Sequence, residues 1–405
     1  MRILLTADPV GGVWGYAATL AGGLVERGHS VTLASIGKPS LAQRKALDRR
    51  IRLESASFRL EWMAGGLADV RPAGLWIARL ASRMRADLVH LNQLAYAPFV
   101  DLPTVVVAHS DVCSWFSEAL GKAAPPSWDD YAEAVRAGLL ATEAVVAPSA
   151  YQGRLLKRHY GRGADRVIWN GIDPLPARSG TSGRFHGAVR PAVLGSTHHD
   201  ALAVRFGHGD SPIRSDALHL VVGRVWDPAK GVRIFDEAVG KLPPELCVGC
   251  VAGEEEGPDG QRVELHHLMR LGPLSPFEVR RLMAAAAVYV GTSLYEPFGL
   301  APLEAALEGC ALILSDIGSF RELWQGAAVF VPAGDAAALA EAIVALQEEP
   351  HRRELLARSA HRRALERFGA GRMVDEYLDL YQDVVAGGRR APKGPAGTSH
   401  VLTGG

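Results

Sequence analysis

Short runs of apolar residues alternate with amphipathic stretches along most of this chain, and that alternation restricts the fold more than any other feature. RILLT, SVTLAS, IRLES, DLVHLN, TVVVAHS, AVVAPS and RVIWNG occupy the first half; LHLVVGRV, LCVGCVAG, AAVYVGTS, ALILSDI and AAVFVPA occupy the second. Runs with little polar alternation are those of strands covered on both faces, as in a parallel sheet. Between them, stretches such as GYAATLAGGLVERG, AGLWIARLASRMRA, VRIFDEAVGKL, SPFEVRRLMAAA, PLEAALEG and DAAALAEAIVALQEE carry helical spacing. Strand, helix and strand repeated in this order give a doubly wound α/β domain.

The rhythm breaks once and restarts. Residues 174–216 are rich in Gly, Pro, Ser, Arg and His and read as a linker with an insertion, partly flexible. Its His198, His199 and His208 have no acidic or cysteine framework and read as part of a solvated loop. The chain therefore divides into a Rossmann-like unit over 1–173, the linker, and a second such unit over 217–367. A helix over about 368–386 is expected to pack back on the first unit, and 387–405 reads as a disordered tail.

Charge and cysteine content narrow the function classes. Lys plus Arg and Asp plus Glu both number 44 in 405 residues, so no whole-chain charge draws the protein to nucleic acid. No apolar run approaches the roughly 20 residues of a membrane span, and the first apolar run is shorter than that of a signal peptide. A cytoplasmic location is expected. Cys247 and Cys250 lie in an apolar strand, and Cys113 and Cys310 stand singly, so all four read as packed thiols and no metal site is expected.

In open α/β sheets ligands bind beyond the carboxyl ends of strands, and four groups of residues stand there. DPVGGVWGY opens the first helix with Gly11 and Gly12, which suit an anion or simply a tight turn. His109 follows TVVVA and suits a hydrogen bond to a substrate hydroxyl, stabilisation of developing charge, or a bond to a nearby carbonyl. Arg224 and Lys230, in GRVWDPAKG, suit a diphosphate; a surface ion pair with Asp227 is equally open. YEPFGLAPLEA places Glu296 and Glu304 around Phe298, Gly299 and Leu300, where backbone N–H groups suit an anion and carboxylates suit vicinal hydroxyls. Glu304 alone would also fit as an acid in a first helical turn.

The motifs GGVWGY, AHSDVCSW, VVAPSAY, WNGID, GRVWDPAKG and EPFGLAPLEA, in this order, resemble the family 4 glycosyltransferases of the GT-B fold. The resemblance covers nearly the whole chain apart from 174–216 and the last residues. It implies two Rossmann-like domains facing across a cleft and transfer of a hexose-type sugar from a nucleotide-sugar donor with retention of configuration. By the same resemblance Arg224 and Lys230 neutralise the leaving diphosphate and Glu304 binds the ribose. Glu296 holds donor-sugar hydroxyls, with backbone contacts from Phe298, Gly299 and Leu300. His109 contacts the transferred sugar, Gly12 the phosphate from the other domain, and Gly272 and Leu274 flank the nucleobase. The catalytic set is thus His109, Glu296, Arg224 and Lys230. Arg224 and Lys230 are six positions apart, one more than in many relatives, which puts the placement of Lys230 in question.

The sequence has no Asp-x-Asp pair of the kind that holds a metal in the other major glycosyltransferase fold, so metal-independent transfer without a cofactor is expected. Acceptors within reach of this reading are sugars, glycans, lipid-linked sugars and small molecules. Trp115, Phe116, Trp128 and Tyr131 either line an acceptor cleft or pack in the core. Arg79, Arg83 and Arg85 beside apolar residues allow peripheral membrane contact, although an ordinary helix against the sheet fits the stretch as well. A two-domain epimerase, a phosphorylase and a non-catalytic nucleotide-sugar binder are the competing readings.

Overall fold

A computed structural model of the chain describes residues 1–174, 215–257 and 260–388. His198, His199 and His208, with nearly all of the linker, lie outside the described residues, as does the tail beyond 388.

Two all-parallel sheets carry the fold. The first has β1 (Arg2–Ala7), β2 (Ser30–Ile36), β3 (Arg52–Ala56), β4 (Leu88–Leu91), β5 (Thr104–Val107), β6 (Ala144–Ala147) and β7 (Arg166–Val167), in the spatial order β3-β2-β1-β4-β5-β6-β7. The second has β8 (Leu218–Val222), β9 (Val248–Ala252), β10 (Met269–Arg270), β11 (Val288–Gly291), β12 (Ala311–Ser315) and β13 (Val329–Val331), ordered β10-β9-β8-β11-β12-β13. The central strands β4, β5, β6, β11 and β12 are buried at every residue, the condition that made them legible as continuous apolar runs. The edge strands differ. β7 is two exposed residues, and β10 is two residues that no apolar run announces.

Helices cover both faces of each sheet. Several begin at side-chain caps: Asp111 accepts from Ser114 N, Ser149 from Gln152 N, and Ser275 forms a capping box with Glu278. The helix Leu67–Met84 buries Ile77, Leu80 and Ala81, while Arg83 reaches Glu54 at 3.3 Å, the arrangement of a helix against a sheet. No helix among the described residues is long and apolar enough to cross a membrane. Cys247, Cys250 and Cys310 are buried and Cys113 is partly so; none of the four is in a disulfide.

The last helix, Ala370–Gly388, lies on the first sheet rather than the second. Met373, Val374, Tyr377 and Tyr381 enter the core formed by Ile3, Leu5, Leu20 and Val107. Gly23 permits this approach, since a Cβ there would stand 2.4 Å from Val374 Cγ2. Arg27 reaches Asp375 at 2.7 Å beside it. The aromatic residues Trp115, Phe116, Trp128 and Tyr131 form one chain of ring contacts at 5.1 to 6.3 Å, and Tyr131 is fully buried. Trp115, Phe116 and Trp128 are only partly buried.

Candidate active site

In each sheet the direction of strand addition reverses once, between β1 and β4 and between β8 and β11. Adjacent loops leave in opposite directions at such a point and open a crevice. Residues 8–12 and Asn92 border the first crevice and residues 223–230 and 292–296 the second, with His109 one strand further along. The two meet closely: a Cβ on Gly12 would be 3.2 Å from Leu300 Cδ1. Polar contacts fix the domains beside the cleft. Ser149 Oγ donates to Pro297 O at 2.6 Å, Tyr295 Oη to Gln152 Oε1 at 3.0 Å and Trp115 Nε1 to Asp227 Oδ1 at 3.2 Å. Ala150 N and Tyr151 N donate to the two carboxylate oxygens of Glu322 at 2.7 and 2.9 Å.

The cations of the second crevice are paired with carboxylates. Lys230 Nζ donates to Glu296 Oε2 at 2.5 Å, and Arg224 Nη2 donates to Asp227 Oδ2 at 2.7 Å. The ion pair between Arg224 and Asp227 is thus present, and Arg224 also stands over the Trp226 ring at 5.5 Å. Two further bonds hold the loop of Lys230 against that of Glu296: Thr292 Oγ1 to Lys230 O at 3.0 Å, and Leu294 N to Ala229 O at 2.7 Å. The six-residue spacing from Arg224 therefore leaves Lys230 inside the site. Asp227 caps the 3-10 turn Pro228–Lys230 through Ala229 N, so one carboxylate both shapes the loop and balances Arg224.

Beyond Glu296 the chain turns into the helix Leu300–Leu307. Gly299, at φ +90°, makes this entry, and a Cβ there would press on Phe320 at 3.0 Å. The N–H groups of a first helical turn favour an anion, and no side chain among the described residues caps this one. Phe298 is buried against Phe368, with ring centres 5.6 Å apart, so only its backbone is available to a ligand. Ser319 Oγ donates to Glu296 O and pins the turn from behind.

Glu304 is half-buried; its carbonyl accepts from Glu308 N at 3.0 Å, and no side-chain hydrogen bond to its carboxylate is found among the described residues. Burial pushes its carboxyl up to about 7, with Arg280 pulling down and Glu308 pushing up to lesser degrees. Both Glu296 and Glu304 act electrostatically on Tyr289 of β11, so the two carboxylates share one neighbourhood. A carboxyl poised in this way gives binding a pH dependence. Hydroxyl groups donate to the ionised form, so the affinity for a diol-bearing ligand at Glu304 should rise with pH up to about 7 and level off above it. Calorimetric titration of nucleoside diphosphates between about pH 5.5 and 8.5 measures this, and Glu304→Gln should flatten the profile and weaken binding. A profile unchanged in the variant removes Glu304 from the ligand.

Gly272 follows β10 and accepts from Gly253 N at 2.9 Å, with open space where its side chain would be. Leu274, two residues on, packs partly against the core of the second domain. These residues flank the row of strand ends from the far side.

His109 stands at the first sheet's edge with its Nε2 2.8 Å from Asn92 Oδ1. Tyr16 meets the ring edge-on at 4.5 Å. Burial pushes the imidazole down to about 3, so the ring is neutral. A neutral ring still hydrogen-bonds a hydroxyl or a developing charge, the roles open to this residue on sequence grounds.

Asp8, Asn92, Tyr295 and Glu322 escaped the reading of motifs. Asp8 and Asn92 obey the rule that located His109, being the first polar residues past a buried strand. Asp8 is 6% exposed, and burial pushes it up to about 7 against the pull of Val10 N–H and Arg224. Tyr295 and Glu322 carry no local signal, because their partners come from the other domain.

Two Rossmann-like domains whose crevices face one another, with paired cations and carboxylates between them, define a GT-B glycosyltransferase. Comparison with known proteins gives the families: residues 10–174 match Glycosyltransferase Family 4, and residues 217–349 match Glycosyl transferases group 1. The chain belongs to these GT-B glycosyltransferases and is an enzyme of the transferase class. It is 29% identical over 351 residues to alpha-maltose-1-phosphate synthase of Mycobacterium tuberculosis, covering 80% of this chain and 81% of that one. Phosphatidyl-myo-inositol mannosyltransferase of Mycobacterium leprae is 30% identical over 182 residues, 42% of this chain and 48% of that one. Among solved structures, sucrose-phosphate synthase from Thermosynechococcus elongatus superposes with a TM-score of 0.72 at 18% identity, over 96% of this chain and all of that one. HepE from Anabaena, in complex with UDP and glucose, gives 0.69 at 18% identity over 95% and 100%.

Proposed function

We propose that the protein transfers a hexose-type sugar from a nucleotide-sugar donor to an acceptor hydroxyl, with retention at the anomeric carbon and without a metal ion. The observation that carries this reading is the meeting of Lys230 and Glu296, 2.5 Å apart, at the crevice of the second sheet, with Arg224 and a helix N-terminus beside them. Cations and N–H groups suit a diphosphate; carboxylates suit the hydroxyls of ribose and hexose. The complex of HepE with UDP and glucose supports a nucleoside diphosphate and a sugar as ligands of this fold. The nucleotide would occupy the second domain and the acceptor the first, with the transferred sugar between them at the cleft. Four cysteines outside any disulfide agree with work in a reducing compartment such as the cytoplasm.

In the proposed reaction the bond from C1 to the diphosphate oxygen breaks while the acceptor oxygen bonds C1 from the same face. The acceptor's proton passes to the leaving phosphate oxygen. Negative charge grows on that oxygen, and Arg224 and Lys230 stabilise it, the largest electrostatic task of the site. Glu296 Oε2 is engaged by Lys230, which suits a carboxylate that holds hydroxyls better than a free nucleophile.

Incubation with UDP-, GDP- and ADP-linked glucose and mannose, with and without a panel of sugar acceptors, tests the reading. Release of nucleoside diphosphate and an equatorial anomeric proton in the product, the signature of the donor's α configuration kept, persisting after thorough chelation, are expected. An inverted product, or activity lost to chelator and restored by magnesium, refutes the corresponding part. Sugar phosphate formed from a glycan without added nucleotide would mark a phosphorylase instead.

A further inference from the structure

Behind His109 lies a buried hydrogen-bond knot whose proton positions follow from chemistry alone. Asn92 Nδ2 donates to the carbonyl of Thr6 at 2.5 Å, and Thr6 Oγ1 accepts from Asn92 N at 2.9 Å. A flipped amide would set two oxygens against each other at that distance, so the orientation of Asn92 is fixed. Its Oδ1 then faces two imidazoles, His109 Nε2 at 2.8 Å and His90 Nε2 at 3.2 Å. An amide oxygen only accepts, so both rings must carry their hydrogen on Nε2. His90 Nδ1 is left to accept from Tyr381 Oη at 2.6 Å, while Tyr16 Oη touches His90 Nε2 at 3.4 Å. His109 Nδ1 has no protein partner among the described residues, and His109 is partly exposed where its neighbour His90 is wholly buried.

We infer that Asn92 is the positioning residue for His109: it locks the imidazole in the Nε2–H form and so presents Nδ1 as an acceptor to a hydroxyl group of the donor sugar. The inference rests on the transferase reading. A pocket that accepts from a sugar hydroxyl at this point selects a donor with a free hydroxyl there and disfavours one that is alkylated or deoxygenated. The titratable groups packed on the knot are Tyr16 from the helix Gly12–Glu26, His90 from β4, and Tyr377 and Tyr381 from the helix Ala370–Gly388. Asp111, on the same loop as His109, is engaged by Ser114 N, Gln152 Nε2 and Tyr160 Oη. Among the described residues no carboxylate is hydrogen-bonded to His109 to favour a second proton on its ring, and the tautomer depends on the neutral amide of Asn92.

Asn92→Asp tests this, since it keeps the shape and replaces a neutral acceptor by an anion that favours imidazolium. Turnover at saturating donor should acquire an acid limb, falling about tenfold between pH 8 and pH 6 as Nδ1 takes up a proton, where the wild-type rate lacks that limb. A variant that folds and follows the wild-type profile overturns the inference. Nitrogen NMR of histidine-labelled wild-type protein, assigned with His109→Gln and His90→Gln, gives a second reading that needs no donor. Both rings should remain Nε2–H between pH 6 and 8; an Nδ1–H form of His109, or its titration near the ordinary value, overturns the inference. The expected tautomer in a protein without transferase activity would refute the transferase reading instead, so the two failures are distinguishable.

Discussion

Lys230→Ala should lower turnover by about 10²-fold or more, an order typical of losing one preorganised donor to a developing charge. Two effects add. The leaving diphosphate loses a cation, and Glu296, whose side chain is 17% exposed, loses its one ion-pair partner among the described residues. A carboxylate stranded at this place repels the same diphosphate that Lys230 attracts. The double variant Lys230→Ala, Glu296→Gln separates the effects. If stranding contributes, the double variant binds nucleoside diphosphate more tightly than the single one although both transfer poorly, a coupling that a double-mutant cycle reads directly. Donor binding and steady-state turnover, measured with a thermal melt to show intact folding, decide the matter. Full activity in the single variant would remove the phosphate role from Lys230 and with it the basis of the proposed reaction.

Gly231→Ala should damage both stability and activity, for reasons that lie in the backbone. Gly231 has φ +60°, and a Cβ there would stand 2.3 Å from Thr292 O and 2.9 Å from Ile234 Cδ1. The nearer atom is main chain on the first residue past β11 and cannot rotate away. The positive φ alone costs about 1 kcal/mol for a residue with a side chain, and the collision adds a further cost of similar or larger size. A loss of about 3 kcal/mol is expected, large against the usual range for a single substitution. Because Thr292 bonds to Lys230 O, relief of the clash pushes apart the loops that bring Lys230 to Glu296. Turnover should therefore fall with stability, and lowering the temperature should restore folding more fully than rate. Denaturant unfolding and turnover at two temperatures check this; a variant with wild-type stability would mean that the two loops are not clamped as described.

Both expectations concern contacts between segments far apart in the chain, and here the limit of the sequence becomes plain. Lys230 and Glu296 were each identified as site residues, one from GRVWDPAKG and one from EPFGLAPLE, but their direct pairing was not visible in either motif. Arg224 pairs with Asp227 only three residues away, so that contact lies within the reach of one motif. His109 was located from the end of an apolar run, while its neutral state follows from burial and its partner Asn92 sits on another strand.

The sequence alone determined the parallel sheets, the break between two similar units and the ends of strands where ligand-facing residues stand. These depend on local periodicity and on burial of whole runs, and such signals are written in consecutive residues. The tertiary structure decided which of those residues meet. It folded the last helix onto the first sheet, set Tyr381 against His90, raised the carboxyl of Glu304 and gave each crevice cation a carboxylate. Hydrogen-bond pairing and the electrostatic cost of burial depend on distance in space, which a linear pattern does not carry.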